Sequence, residues 1–137
     1  MSNITQVLNT DKNLKTLKKT VHASDLDQLL SSTGPFTFFT PTDVAFEKLG
    51  AGVVEGLLEP KNKADLITLM NNHLVKGKIS FDALKSGEAL TTLGGRALMI
   101  EESNGQVRID GAVVLAREQK LSNGVIHSID KVFMHKD

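Results

Sequence analysis

Two segments far apart in this chain constrain its fold more than any other part. They are residues 37–46, with the sequence TFFTPTDVAF, and residues 123–132, with the sequence NGVIHSIDKV. Each joins a run of aromatic or β-branched residues to one turn signal and one polar group. This pattern is typical of a buried strand at the edge of a sheet that meets the start of a helix. We therefore expect both segments to lie at such junctions.

The length and the charge of the chain limit its domain count and its partners. A chain of 137 residues suits one domain over residues 1–137, because that length can bury about two thirds of the unfolded surface around one core. Sixteen basic and sixteen acidic residues balance, so the long-range field that nucleic-acid binding relies on is missing. We expect no nucleic-acid partner. The first residues lack the pattern of a signal peptide and no window has the length of a membrane span, so we expect no membrane insertion.

Three residue types that often carry binding or chemistry are absent: cysteine, tryptophan and tyrosine. Without cysteine, a disulfide framework and a thiolate metal site are impossible. Without tryptophan and tyrosine, only the six phenylalanines could act as stacking platforms for bases or sugars. This composition disfavours single-strand nucleic-acid binders and many carbohydrate grooves.

The first half of the chain has helical periodicity. Residues 14–21 alternate apolar residues with lysines at the spacing of an amphipathic helix whose lysines face water. Ser24 is predicted to cap a second helix, with Asp27 three residues later in the position of a capping box. A buried strand is predicted at residues 36–39, and Pro41 forces its end.

The polar residues after this strand suit the start of a helix. Thr42 is predicted to be the N-cap, because its hydroxyl can accept from the exposed N–H groups of the first turn. Asp43 adds favourable negative charge there, and we expect its carboxylate to bond within that turn. Phe46 is predicted to point into the core.

A longer helix is predicted after Asn62, followed by a region of strands. The helical spacing places His73 on the same apolar face as Leu66, Met70 and Leu74, so an imidazole would lie on an apolar stripe. Glycine-punctuated runs follow, and strands are predicted at residues 97–101, 106–110, 112–115 and 125–133.

The candidate chemistry is weak at each position. The histidines stand at 22, 73, 127 and 135, and no pair has metal-ligand spacing, so we expect no metal site. We interpret His73 and His127 as core residues with backbone or carboxylate partners. Asp130 lies among apolar neighbours and is predicted to tie a strand to a nearby donor.

Two alternative functions stay open at this level. The first is a small hydrolase that uses His73 or His127 with Asp130, which requires these groups to meet in a cleft. The second is a carrier of an apolar ligand, which requires a pocket between the helices and the sheet. The side chains that would line this pocket are Phe36, Phe38, Phe46, Met70 and Leu74.

The chain resembles the fasciclin-like domain family from about residue 21 to residue 134. The likeness includes GPFT at 34–37 leading into TPTD at 40–43, LLEPKNK at 57–63 and NGVIH at 123–127. In the central Tyr-His motif of the family, the histidine matches His73 and the tyrosine position is Asn72. The positions that carry the family motifs, which we expect to be structural, are Thr42, Asp43, Phe46, His73, Asn123, Gly124, His127 and Asp130.

The resemblance implies a fold and a general role. The fold is of the α+β class: a wedge-shaped antiparallel β-sandwich with a cluster of helices packed along one side. The implied role is non-catalytic adhesion or interaction with a protein or glycan partner, without a cofactor. The implied location is secreted, periplasmic or on the cell surface, and we expect a bacterial single-domain member.

Overall fold

A computed structural model describes residues 3–32, 34–50, 52–115 and 119–133 of the chain. The α-helices in these residues are α1 (Ile4–Thr10), α2 (Lys15–Ala23), α3 (Leu26–Leu30), α4 (Asp43–Glu47), α5 (Val53–Leu58) and α6 (Lys63–Asn71). The strands are β1 (Phe36–Pro41), β2 (Leu74–Lys76), β3 (Ala89–Thr91), β4 (Ala97–Ser103), β5 (Gln106–Ile109), β6 (Ala112–Val113), β7 (Gln119–Leu121) and β8 (Gly124–Ile129). Short 3₁₀ helices lie at Pro60–Asn62 and Phe81–Ala83. None of the helices in the described ranges has both the length and the apolar character needed to cross a bilayer.

The strands form two four-stranded sheets, in the orders β2-β1-β8-β7 and β3-β4-β5-β6. The predicted α+β class with a β-sandwich is confirmed. One pairing differs from a fully antiparallel sandwich, because β1 and β8 run parallel from Phe36 opposite Gly124 to Pro41 opposite Ile129. The whole middle of the chain connects these two strands, and a long connection of this kind is what a parallel pair requires.

The central pair β1–β8 separates two apolar cores. The helix-side core lies between the first sheet and the helices, and it includes Phe36, Phe38 and Ile126. The sheet-side core lies between the two sheets, and it includes Phe39 and Ile129. Every residue of β1 is buried, because the strand is covered on both faces.

The N-terminal helix α1 was not among the predicted elements. Its start carries a capping box: Asn3 Oδ1 accepts from the Gln6 N–H at 2.9 Å, and Gln6 Oε1 accepts from the Asn3 N–H at 2.8 Å. The Asn-x-x-Gln spacing is a readable signal in the sequence. It places Ile4 in the helix-side core.

The predicted cap at Ser24 is wrong. The Ser24 hydroxyl donates to the Val21 carbonyl at 3.1 Å, and α3 begins only at Leu26. Asp25 occupies the cap position in the left-handed region, with φ of 59°. Ser24 therefore belongs to the end of α2, where a hydroxyl can satisfy a last-turn carbonyl.

The predicted long helix ends earlier than expected. Helix α6 stops at Asn71, so His73 follows the helix and Leu74 begins β2. Pairing with β1 decides this, because Leu74 lies opposite Phe38 and extends the first sheet. Strand β8 likewise ends at Ile129 and not at residue 133.

Candidate functional site

The first of the two segments, residues 37–46, caps a helix as predicted. Thr42 is the N-cap of α4, and its Oγ1 accepts from the Ala45 N–H at 3.3 Å. Phe46 is 2% exposed and belongs to the helix-side core. The cap and the buried ring together fix α4 against β1.

Asp43 has a different partner from the one predicted. It lies in the first turn of α4, but its Oδ1 accepts from the Thr16 N–H at 2.8 Å, in the first turn of α2. Its own N–H donates to the Asn13 carbonyl at 2.8 Å. The N-cap of α2 is Leu14, which has no polar side-chain atom, so the Asp43 carboxylate supplies the missing cap. Asp43 therefore joins the starts of two helices.

Asn123 connects three parts of the chain through a buried amide. Its Oδ1 accepts from the Ile4 N–H at 3.0 Å, at the start of α1. Its Nδ2 donates to the Leu30 carbonyl at 2.6 Å and to the Ser32 carbonyl at 2.9 Å, at the end of α3. Its own carbonyl accepts from the Phe36 N–H at 3.0 Å. The side chain thus satisfies helix ends that lack partners within their helices.

Gly124 is required by a close approach of two backbones. A Cβ at this position would overlap the Phe36 carbonyl oxygen, and it would also lie 3.0 Å from Ile4 Cδ1. Because the obstacle is backbone, no side-chain rotation could relieve it. Glycine here allows β8 to begin its parallel pairing with β1.

His73 is a fully buried, neutral imidazole whose two nitrogens are both occupied. Nδ1 lies 2.8 Å from the Leu69 carbonyl and therefore donates, while Nε2 accepts from the Phe133 N–H at 3.0 Å. The ring stacks on Phe133 with centroids 4.7 Å apart. Burial lowers the pKa of His73 from 6.5 to about 4, against the opposing effect of the bond to Leu69. The side chain holds the end of α6 to the segment after β8.

His127 is also fully buried, in the sheet-side region of β8. Its Nε2 lies 2.7 Å from the Ile79 carbonyl and donates to it. The ring stacks on Phe39 with centroids 5.5 Å apart, and Phe39 meets Phe133 edge to face at 6.2 Å. The two histidines and two phenylalanines thus form one buried aromatic row.

Asp130 ties the end of β8 to β6, as predicted. Its Oδ1 accepts from the Val113 N–H at 2.7 Å, and its own N–H donates to the Val113 carbonyl at 3.1 Å. Lys48 Nζ donates to the Asp130 carbonyl at 3.1 Å and lies 3.9 Å from Oδ2. The carboxylate is half-buried at the surface, whereas both imidazoles of the aromatic row lie inside.

The geometry gives no support to the chemistry that a hydrolase needs. Both nitrogens of His73 bond to backbone groups and cannot take a substrate proton, and Oδ1 of Asp130 accepts from the Val113 N–H. Within residues 3–32, 34–50, 52–115 and 119–133, no three His, Asp or Glu side chains are grouped so that they could hold a metal ion. The five side chains considered for an apolar carrier are each no more than 8% exposed and belong to the helix-side core.

Two polar residues with structural bonds were missed from the sequence. Thr37 Oγ1 donates to the Gly77 carbonyl at 2.7 Å and accepts from the Ile79 N–H at 2.8 Å, so it holds the loop after β2. Asn72, at the tyrosine position of the family motif, is buried and accepts from the Thr92 hydroxyl at 3.3 Å. The sequence signal that could have revealed the role of Thr37 was a threonine inside an aromatic run.

One surface feature was also missed. A depression of about 430 Å³ opens where the loop before α2, helix α4 and the segments after β6 and β8 meet. We call it the Val44–Leu115 depression, and its lining residues are Asn13, Thr42, Asp43, Val44, Lys48, Leu115 and Asp130. The sequence does carry one signal for this depression: Val44 is an apolar residue that lies beside the inward-facing apolar stripe of α4.

Comparison with known proteins agrees with this architecture. The sequence profile described as the Fasciclin domain matches residues 12–135. The chain belongs to the fasciclin domain family. The family membership predicted from the two segments is therefore confirmed.

Several fasciclin relatives are similar over nearly the whole chain. Protein sll1483 of Synechocystis sp. is 42% identical over 131 residues, which cover 96% of this chain and 72% of that protein. Transforming growth factor-beta-induced protein ig-h3 of Sus scrofa is 33% identical over 135 residues, which cover 97% of this chain but 19% of that protein.

A solved structure shows the same fold at low sequence identity. The structure of a FAS1 domain pair from the insect cell adhesion molecule Fasciclin I superposes with a TM-score of 0.86 and 20% identity. The match covers 98% of this chain and 51% of that chain. This fasciclin domain thus corresponds to about half of the solved chain.

Proposed function

We propose that residues 1–137 form one fasciclin domain that acts as a non-catalytic interaction module. It binds a protein or glycan partner through its outer surface, at a cell surface or in an extracellular matrix. Family membership and the likeness to a cell adhesion molecule support this role. Fold likeness alone does not assign an activity, so the site residues carry the argument.

The observation that carries the proposal is how the polar residues of the two segments are used. Asn123 and His73 bond only to backbone groups of their own chain, and both are buried. Thr42, Asp43 and Asp130 also bond to backbone N–H groups. An atom that already bonds to an internal group is not available to a ligand, which leaves the atoms on the exterior for binding. We therefore infer that these motif residues are structural.

The binding role can be tested with the domain immobilised on beads and a cell-envelope extract from the source organism. Three folded surface variants act as controls for one another: Lys15→Glu with Lys19→Glu on α2, Val44→Ser with Leu115→Ser, and Met99→Ser on β4. We expect a protein or glycan that the parent domain retains and that at least one variant loses, with unchanged unfolding midpoints. Equal recovery on all variants and on an unrelated domain of the same size would contradict the role.

The absence of catalysis needs a separate measurement. The parent domain, His73→Gln and His127→Gln are assayed against simple nitrophenyl esters at equal concentration. We expect no turnover above buffer from any of them. Turnover by the parent that disappears in a folded histidine variant would replace the proposed role with a hydrolase.

A further inference from the structure

The exposed apolar side chains of the described chain are unevenly placed. Val44 and Leu115 are the most exposed of the large ones, at 59% and 54%. Both line the Val44–Leu115 depression, although they come from opposite halves of the chain. Met99 and Leu93, the next most exposed, are not part of that lining. Single exposed apolar residues are ordinary, but two that share one concavity offer a partner a joint apolar contact.

The backbone on both sides of the depression is held in place. The Thr42 cap fixes the first turn of α4, which carries Val44. The Leu115 N–H donates to the Ser128 carbonyl at 2.8 Å, which fixes Leu115 against β8. A partner that docks here would meet two walls that are already ordered, so little conformational entropy is lost on binding.

The charges around the depression favour a cation. Among the described lining residues, Asp43 and Asp130 provide two carboxylates and Lys48 provides one ammonium group, which leaves an excess of one negative charge. Asp43 uses Oδ1 for the Thr16 N–H, and no donor of the described residues bonds to its Oδ2. Lys48 is half-exposed and lies 3.9 Å from Asp130 Oδ2, which is a loose ion pair.

We propose that the Val44–Leu115 depression docks a segment of a protein partner that presents an aliphatic side chain next to a lysine or arginine. The aliphatic side chain would pack between Val44 and Leu115, and the cation would approach Asp43. The part of the lining that the structure describes contains no aromatic ring on which a sugar could stack, so a peptide segment fits it better than a glycan. This inference rests on the proposed interaction function and names its surface and its partner chemistry.

A phage-displayed library of random heptapeptides is a suitable probe. We expect selection on the folded parent domain to enrich an aliphatic residue beside Lys or Arg. Affinity of the enriched peptides should fall at least about tenfold in Val44→Ser with Leu115→Ser, as for a central apolar contact. The control, Leu93→Ser with Met99→Ser, removes two apolar groups elsewhere that are 40% and 47% exposed, and it should change affinity by less than about twofold.

A second variant tests the charge argument. Lys48→Met removes the ammonium group beside the two carboxylates, so binding of the basic peptides should become at least about threefold tighter at low salt. High salt should weaken this gain, because Lys48 is half-exposed and both carboxylates are partly accessible to solvent. A merely apolar surface would show neither effect.

Several results would overturn the docking proposal. These are a lack of enriched sequences, enrichment without basic residues, and affinity that Val44→Ser with Leu115→Ser leaves unchanged. An envelope partner that this double variant still retains would refute the surface while the interaction function stands. Failure of the parent domain to retain any partner would refute the function itself. A glycan that binds at the depression would refute the peptide class.

Discussion

The two faces of the central strand pair β1–β8 use buried polar groups in different ways. On the helix-facing side, the core is apolar and Asn123 serves the ends of α1 and α3 through Ile4 and Leu30. On the sheet-facing side, two imidazoles lie within the protein and bond to Leu69, Phe133 and Ile79. Both arrangements place one polar side chain against several backbone groups.

The difference follows from which backbone groups lack a regular partner. Helices satisfy their own backbone groups except at their ends, so one amide at the helix ends is enough on that side. Between the sheets, irregular segments after β2 and β8 carry backbone groups outside the ladders, and each needs a partner. A neutral imidazole has one donor and one acceptor, and it can therefore serve two such groups within an aromatic core. This need accounts for the positions of both histidines.

Substitution of Asn123 gives the strongest test of the difference between the two sides. Replacement with alanine leaves the Ile4 N–H and the Leu30 and Ser32 carbonyls without their partner. We expect Asn123→Ala to lower the free energy of unfolding by about 3 to 5 kcal/mol. Urea unfolding measures this, with Asn9→Ala on the exposed side of α1 as the matched control. A loss below about 1 kcal/mol would show that the amide is not the link between these elements.

The sheet-facing side is tested by pH. Burial lowers the pKa of His73 from 6.5 to about 4, so the unfolded chain binds a proton in this interval that the folded domain does not. The contribution to stability is fully present above pH 6.5 and is lost as the pH falls toward 4, by about 3 kcal/mol in total.

Urea unfolding across this interval should show a steeper fall in the parent domain than in His73→Gln. His22→Gln, which replaces an exposed histidine outside the core, controls for the loss of an imidazole as such. Parallel pH profiles for the parent and His73→Gln would mean that His73 titrates alike in both states.

Substitution at Asp130, at the junction between the two sheets, should lower the free energy of unfolding less than the changes above. Asp130→Ala removes the acceptor of the half-buried Val113 N–H, and we expect a loss of about 1 to 2 kcal/mol. Asp130→Asn keeps an acceptor oxygen and should recover part of this loss. If both variants unfold at the same urea concentration as the parent, Asp130 has no structural role.

The smallest expected effects concern the two helix starts. Thr42→Ala and Asp43→Ala each remove one cap and should each cost about 1 kcal/mol. Amide hydrogen exchange separates them: Asp43→Ala should speed exchange at Thr16, and Thr42→Ala should speed exchange at Ala45. Faster exchange of Ala45 in Asp43→Ala would instead support the bond within its own helix that the sequence suggested.

Local patterns in the sequence predicted the elements that carry their own signals. The helix over residues 14–21, the strand that begins at Phe36 and the Thr42 cap were each predicted from neighbours in sequence. The strand does not end before Pro41 as predicted, because pairing with β8 continues to Pro41 opposite Ile129. The three-residue strands β2, β3 and β7 were not predicted, because segments this short have no periodicity of their own. Pairing with β1, β4 and β8 makes them strands.

The roles of the candidate site residues also divide into those that the sequence predicted and those that it did not. Sequence alone indicated that Asp130 needs a local donor and that His73 and His127 are core residues. It could not show that Asp43 caps α2 or that Asn123 reaches Ile4, since these partners lie far away along the chain. The exposure of Val44 beside Leu115 also needs both halves of the fold.

The sequence by itself determined the family, the α+β class and the Thr42 cap, because the signals for these lie within short segments of the chain. The tertiary structure alone decided the parallel β1–β8 pair, the buried aromatic row and the Val44–Leu115 depression. The physical reason is that backbone groups without a local partner take whichever polar side chain the packed core brings to them. That choice is made between segments distant in sequence, where no local pattern records it.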